Sequence, residues 1–230
     1  MAPVRIEDAD DPRIAEFRSI RERDLTGREG RFIAEGTVVL RMLAAAHGSG
    51  GDFLTEKILL LENRVAGLAE ILGCFPADIP VYVASAAVLD QIAGFHLHRG
   101  VLALGRRRQE RTASELVATL PDKALVVAAF GISNHDNIGS IFRNAAAFGA
   151  DAVLLDESCC DPLYRKALRV VPASDRMVLI TGTEGEGLPV EVLARIQSAR
   201  IAQAPGLDSL NAATATGIAL YEIAMAQGRL

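Results

Sequence analysis

The chain has 230 residues, half of them hydrophobic and 5% aromatic, with no Trp and a formal net charge of −5. That length buries a sizeable core in one large domain or two modest ones without disulfides or metal. The acidic balance excludes a generic electrostatic nucleic-acid binder, so RNA contact has to come from local basic patches. The three cysteines, Cys74, Cys159 and Cys160, form no CxxC spacing and are read as reduced thiols of a reducing compartment. The polar, acidic start MAPVRIEDADDPR is unlike a signal peptide, and the apolar run at 125–132 is far too short to span a bilayer. A cytoplasmic protein is the expectation.

In chain order, Asp11-Pro12 opens a helical pattern through Ile14, Phe17 and Ile20, and a strand follows at 32–34. Glu35-Gly36 turns into a helix over 37–46, and HGSGGD is a loop. A strand at 57–61, a helix at 65–72, a strand at 80–84, a helix at 86–92 and a strand at 100–104 form an alternating α/β layer. GRRRQERTAS at 105–114 is polar, charged and aperiodic. It reads as a domain boundary, either a solvated linker or an arginine cluster that touches phosphates. A second α/β unit begins at Ala124, with the strand LVVAAFGI, the turn SNHDNIG, the helix SIFRNAAAFGA and the strand DAVLLD in a parallel βαβ arrangement. MVLIT is a further strand, GTEGEGLP a glycine-rich turn and VEVLARIQSA a helix. A short strand at 200–202 and the long, small-residue helix SLNAATATGIALYEIAMA close the chain.

Three loops follow strands and precede helices, where open α/β sheets collect ligands. In the first, Gly139 permits a turn, Ser140 is a helix N-cap and Arg143 falls in the first helical turn. A cation there opposes the helix dipole at a cost of about 0.3–1 kcal/mol, which points to function. In the second, Gly182, Gly185 and Gly187 alternate with Glu184 and Glu186. Their G-x-x-G-x-G order is the wrong way round for a dinucleotide fingerprint, which speaks against a nucleotide-binding oxidoreductase. Close approach of backbone to a ligand explains the glycines better than a plain turn. In the third, Ser209 and Asn211 are cap-type residues opening the last helix. His96 and His98 alternate beside a strand but lack a third ligand, and His135 sits in the first loop; no metal is expected. P-loop, G-x-S-x-G, H-E-x-x-H and zinc-finger spacings are absent.

Taken together, NIGSIFRNAAAFGAD, LITGTEGEGLP and SLNAATATGIALYE resemble, in order, motifs 1, 2 and 3 of the SpoU (TrmH-like) RNA 2′-O-ribose methyltransferases of the SPOUT superfamily. RFIAEGTVVLRML and GFHLHRGVLALGRR resemble pieces of that family's substrate-binding domain, so the resemblance covers nearly the whole chain. It implies an α/β protein with a C-terminal SPOUT domain tied in a deep trefoil knot, preceded by a smaller L30e-like α/β domain that binds RNA. The implied boundaries are 1–108, a linker at 109–120, and 121–230. It implies S-adenosylmethionine as methyl donor, no metal, tRNA or rRNA as substrate, and a homodimer with the active site near the subunit interface.

By the same resemblance, Asn137 and Arg143 match the motif 1 pair, with Arg143 activating the ribose hydroxyl, Glu184 matches motif 2, and Ser209 and Asn211 match the motif 3 polar pair. Gly182, Ile201 and Leu210 match donor-contacting positions, with Thr181, Glu184 and Gly185 in the same loop. The RNA-binding candidates are Arg18, Arg21, Arg28, Arg31, Arg106 and Arg107, diluted by Glu22, Asp24 and Glu29.

Two departures stand out. IAQAPGLDSLN carries Ala202 and Gln203 where the family usually has a proline after Ile201. The chain also passes directly from Arg169-Val170 to Val171-Pro172, where the family usually inserts several tens of residues. Either the homologue is shortened or a segment between them is unobserved, and the cost of losing part of a knotted core favours the second. The competing reading is a non-catalytic RNA-binding protein on a methyltransferase scaffold.

Overall fold

The computed structural model describes residues 3–18, 30–93, 99–108, 112–122, 124–163, 176–183, 187–196, 198, 201–203 and 210–230. The chain divides into two compact units, 1–110 with 163–165, and 111–162 with 166–230.

The first unit is a five-stranded mixed sheet in the order β1-β4-β3-β5-β2, built from β1 (Val4–Ile6), β2 (Arg31–Glu35), β3 (Phe53–Leu61), β4 (Val81–Ala84) and β5 (Val101–Arg107). β3 is central, parallel to β4 and antiparallel to β5. Its run Ile58-Leu59-Leu60 is fully buried, as a strand covered on both faces requires. One face carries Ile33, Leu59, Leu102 and Leu104 against Ile14 and Phe17 of a 3₁₀ turn, Pro12–Phe17, and against Leu89 and Ile92 of α3. The helices of this unit are α1 (Thr37–Gly48), α2 (Ala69–Leu72) and α3 (Ala86–Ala93). Asp11 caps the 3₁₀ turn by accepting the Arg13 backbone N–H at 2.8 Å, with Pro12 at the first position. Ile20 lies outside the described residues.

Several boundaries differ from expectation. The helix expected at 65–72 is two 3₁₀ turns, Glu62–Arg64 and Ala66–Leu68, followed by the four-residue α2; Gly67 in its middle weakens a continuous helix. β1 was not anticipated: three residues show no alternation to detect, and its pairing with β4 is tertiary. Two ordered pieces stand inside the stretch read as aperiodic. β5 continues through Gly105, Arg106 and Arg107, which pair with β2 and with β3. Helix α4 (Ala113–Ala118) then starts from a capping box, in which Thr112 accepts the Glu115 N–H and Glu115 accepts the Thr112 N–H.

The second unit holds a three-stranded parallel sheet, β7-β6-β8, from β6 (Ala124–Ala129), β7 (Ala152–Leu155) and β8 (Arg176–Thr181). Every residue of the central β6 is buried. One face packs Leu125, Val127 and Ala129 against Ile138, Ile141 and Ala145 of α5 (His135–Ala147) and against Ala212, Ala213 and Leu220 of α7 (Ala212–Ala226). On the other face Ala124, Val126 and Ala152 meet Leu116 and Leu120, Leu116 coming from α4. The expected βαβ crossover is present as β6–α5–β7, with β6 and β7 parallel.

Three readings are corrected here. α5 begins five residues earlier than expected, because Asn134 and not Ser140 is its N-cap, accepting the N–H groups of Asp136 and Asn137 at 2.8 and 3.3 Å. Only that start brings Ile138, Ile141 and Ala145 onto one buried stripe. Gly139 is therefore a buried helical residue, and Arg143 lies well past the first turn, where the dipole argument no longer applies. The helix expected at 190–199 shrinks to α6 (Val190–Leu193). Residues 201–203 belong to no strand.

Candidate active site at the strand ends of the parallel sheet

The carboxyl ends of β6, β7 and β8 converge through backbone contacts. Past β6, the Phe130 N–H donates to the Thr181 carbonyl at 3.0 Å, tying this loop to the end of β8. Gly131 then turns with φ +65°, and a Cβ there would sit 2.2 Å from the Thr183 methyl. No other residue fits, because the backbone is left-handed and the space is taken.

The Gly131 N–H donates to the Asp156 carboxylate at 2.9 Å, and the Ser158 hydroxyl donates to it at 2.5 Å. Desolvation opposes ionisation of Asp156, but the Gly131 N–H, the Ser158 hydroxyl and the Cys159 thiol outweigh it and hold its pKa below the usual carboxylate value. Cys159 is half-buried; its Sγ–H donates to the Ala129 carbonyl at 3.4 Å, and Sγ accepts the Ile132 N–H at 3.3 Å. Burial first, and the hydrogen bond with the Asp156 carboxylate second, push this thiol up to about 11. Cys159 is thus a protonated structural thiol at neutral pH and not a nucleophile.

At the end of β8, a Cβ on Gly182 would lie 2.7 Å from the Gly187 carbonyl carbon and the Leu188 nitrogen. Thr183 forms an isolated antiparallel bridge with Gly187, and its hydroxyl donates to the Gly187 carbonyl at 3.2 Å. The glycine at 182 is therefore demanded by the loop folding against itself. Glu184 and Gly185 lie outside the described residues.

Helices α5 and α7 bring together two of the residues singled out in sequence. Asn137 is buried, and its Oδ1 accepts the Asn211 Nδ2–H at 2.9 Å across 74 positions of chain. Asn211 is also the N-cap of α7, accepting the N–H groups of Ala213 and Thr214 at 3.0 and 3.2 Å. A second amide link follows: Asn144 Nδ2–H donates to the Ala213 carbonyl at 2.8 Å. Gly217 leaves room for it, since a Cβ there would lie 2.8 Å from Asn144 Nδ2. The small residues of α7 thus serve packing against α5 within the chain. Arg143 is exposed, and its Nη2 donates to the Ser140 hydroxyl one turn earlier at 2.7 Å. Among the described residues it has no carboxylate partner. Thr181, Ile201 and Leu210 are half-buried, Leu210 next to Asn211; Ser209 lies outside the described residues.

Asn134, Ser140 as the Arg143 partner, Asn144 and Asp156 were missed in sequence. Asn134 carries a detectable cap signal ahead of a helical apolar stripe. The Asp156–Gly131 link spans 25 positions and has no local signature.

The basic candidates are mostly paired. Arg18 Nη1 meets Asp10 at 2.6 Å, and Arg31 and Arg106 both meet Glu56. Arg107 is half-buried in β5; Arg21 and Arg28 lie outside the described residues. Among the described residues no group of three or more His, Cys, Asp or Glu could hold a metal ion, and no helix is long and apolar enough to cross a membrane.

Comparison with known proteins adds a further line. The SpoU rRNA Methylase family model matches residues 124–175 and 170–221. A Mycobacterium bovis protein named an uncharacterized tRNA/rRNA methyltransferase is 34% identical over 268 aligned positions, covering 94% of this chain and 89% of that protein. An AdoMet-bound rRNA methyltransferase from Sinorhizobium meliloti superposes with a TM-score of 0.72 at 24% identity, covering 95% of this chain and 96% of that one. A solved RNA 2′-O ribose methyltransferase superposes with a TM-score of 0.70 at 24% identity over 99% and 100% of the two chains. These superpositions carry the α/β fold.

The alignment also measures the departure noted between motifs 1 and 2. Ninety-four per cent of 230 residues is about 216, so about fifty of the 268 aligned positions hold no residue of this chain. The family model is matched in two pieces that meet at 170–175, where the sequence runs without interruption from Val170 to Val171. Relative to the family, this sequence is shorter at that point. With motifs in family order and a relative alike along nearly its whole length, the chain belongs to the SpoU rRNA Methylase family.

Proposed function

We propose that the chain is an S-adenosylmethionine-dependent RNA methyltransferase acting on a ribose 2′-hydroxyl of tRNA or rRNA. The observation that carries this reading is the Asn137–Asn211 hydrogen bond, which joins the first and third motif residues beside the strand ends where parallel sheets bind ligands. Neighbours of the same fold are described as AdoMet-bound and as a ribose 2′-O methyltransferase, in keeping with it.

When bound, the donor supplies an electrophilic methyl on a sulfonium. Thr181, Gly182, Glu184, Gly185, Ile201 and Leu210 would hold it, and the neutral amides and the protonated Cys159 nearby fit a cationic ligand that must not meet a competing thiolate. Arg143, hydrogen-bonded to Ser140 and exposed, approaches the ribose hydroxyl and stabilises its developing negative charge as the proton leaves. Asn137 and Asn211 hold α5 and α7 in register, so that acceptor and donor are aligned in line. The finer family features go with the same reading: the trefoil knot, an L30e-like RNA-binding domain over 1–108, the linker at 109–120 and the methyltransferase domain over 121–230. So does a homodimer, favoured by the exposed apolar stripe Ile218, Tyr221 and Met225 of α7.

The shortening by about fifty residues favours a second reading, an RNA-binding protein that has lost transfer. Calorimetric titration of S-adenosylmethionine into the full chain and into Arg143→Ala separates the two. The enzyme reading expects saturable binding by both proteins and methyl transfer to RNA by the wild type alone. Absence of donor binding by folded wild-type protein would overturn the enzyme reading and favour the second.

A further inference from the structure

The chain leaves β8 through Thr183, a half-buried residue whose side chain makes two unlike contacts. Its hydroxyl donates to the Gly187 carbonyl at 3.2 Å, across the isolated antiparallel bridge that pairs the same two residues. Its methyl fills the space over Gly131 that a side chain there would occupy. A β-branched side chain is stiff at χ1, so one rotamer serves both contacts. Serine would keep the bond and empty the space over Gly131. Valine would keep that space filled and lose the bond.

The two contacts reach different loops and matter differently. Gly131, in the first loop, is fastened without the methyl: its N–H donates to Asp156 at 2.9 Å, and the Phe130 N–H beside it donates to the Thr181 carbonyl at 3.0 Å. Gly187, in the second loop, has no side chain, so the Thr183 hydroxyl is the only side-chain bond their bridge can have. Gly187 is half-buried, within reach of water that could serve its carbonyl at little cost to stability. What water would not supply is a fixed path for the backbone: the Gly187 carbonyl carbon and the Leu188 nitrogen close directly over Gly182.

We infer that Thr183 is a positioning residue for the methyl donor, whose hydroxyl closes the second loop before the donor arrives, so that Thr181 and Gly182 offer backbone already in place. This inference rests on the proposed donor site. A loop ordered in advance spares binding the cost of ordering it. The methyl has a separate task, which is to pack the second loop against the first. Donor affinity therefore belongs to the hydroxyl and stability to the methyl.

The test is calorimetric titration of S-adenosylmethionine into the full chain as wild type, Thr183→Val and Thr183→Ser, with the melting temperature of each measured without donor. Thr183→Val should bind the donor about fivefold to tenfold more weakly, with a melting temperature within about 1–2 °C of wild type. Thr183→Ser should bind within about twofold of wild type, although the emptied space over Gly131 lowers its melting temperature by about 2–4 °C. Affinity then runs against stability across the two variants, which a purely structural residue does not produce. A Thr183→Val protein that binds as tightly as wild type overturns the inference and leaves the donor site standing. So does an affinity that falls in step with melting temperature, with Thr183→Ser the weaker binder. A folded wild type that binds no donor overturns the proposed function itself, and this inference with it.

Discussion

Asp156 shows how much of the strand-end geometry hangs on one side chain. Its carboxylate takes the Gly131 N–H and the Ser158 hydroxyl, and Gly131 is the turn that sets the first loop against Thr183. The folded pKa of Asp156 is depressed. A depressed carboxylate contributes stability that is fully present above its unfolded value and is lost as pH falls through the folded value. Asp156→Asn should therefore lower the melting temperature of the second unit by about 2–4 °C at pH 7, with the gap to wild type closing as pH drops below about 4. Melts across pH 3–8 check this, and a gap independent of pH would mean that the charge has no part in it. None of this was legible in DAVLLDES, because an acid at a strand end acquires meaning only from a backbone N–H 25 positions away. Asn137 and Asn211 were legible as residues through the motifs. Their contact was not, since residue types do not encode which amides meet. Arg143 stands out through motif 1 alone, because the cost against the helix dipole vanishes once α5 starts at His135.

At the scale of elements, hydrophobic spacing located nearly every strand and helix, and capping chemistry decided where they began. The T-x-x-E of Thr112 and Glu115 is a complete capping box, yet it sits behind an arginine run whose charge suggested a linker. The β5 extension through Arg107 has no apolar alternation and exists because β2 and β3 flank it on both sides. The α5–α7 pair makes a sharper case, because its packing turns on the missing side chain of Gly217. Alanine there would gain helix propensity of about 1 kcal/mol. Its Cβ would press on Asn144 Nδ2 at 2.8 Å, and that nitrogen cannot swing away without giving up the Ala213 carbonyl. Overpacking costs about 1–3 kcal/mol and the lost hydrogen bond about 1 kcal/mol. Gly217→Ala should thus destabilise the second unit by about 1–3 kcal/mol, read as a lower denaturant midpoint. A raised midpoint would mean that Asn144 yields without losing its bond.

For the whole molecule, alternating strand and helix patterns were enough to anticipate two α/β units, whereas threading of the chain leaves no trace in composition or periodicity, so the knot enters only through family likeness. The shortening was visible because motifs fix a distance along the chain as well as a set of residues. Assembly is a question for the surface. α7 buries Ala213, Thr216, Leu220 and Ala224, while Ile218, Tyr221 and Met225 remain 39, 46 and 50% exposed. Spaced three and four apart, these form one stripe on the helix. Scattered apolar residues on a surface need no explanation, but a contiguous stripe marks an interaction site, and a two-fold dimer can cover it with the same stripe of a second copy. A stable interface buries about 800 Å² per partner, so these side chains would form its centre and not its whole. Tyr221 also edges against Phe148 at 6.0 Å, which makes it a poor choice for mutation. Ile218→Glu combined with Met225→Glu puts like charges across the two-fold axis and leaves the α5-facing side of α7 intact. Wild type should sediment at twice the chain mass at micromolar concentration, and the double variant at the chain mass with an unchanged far-ultraviolet spectrum. If wild type sediments as a single chain throughout, or the variant stays dimeric, α7 is not the surface through which two copies meet.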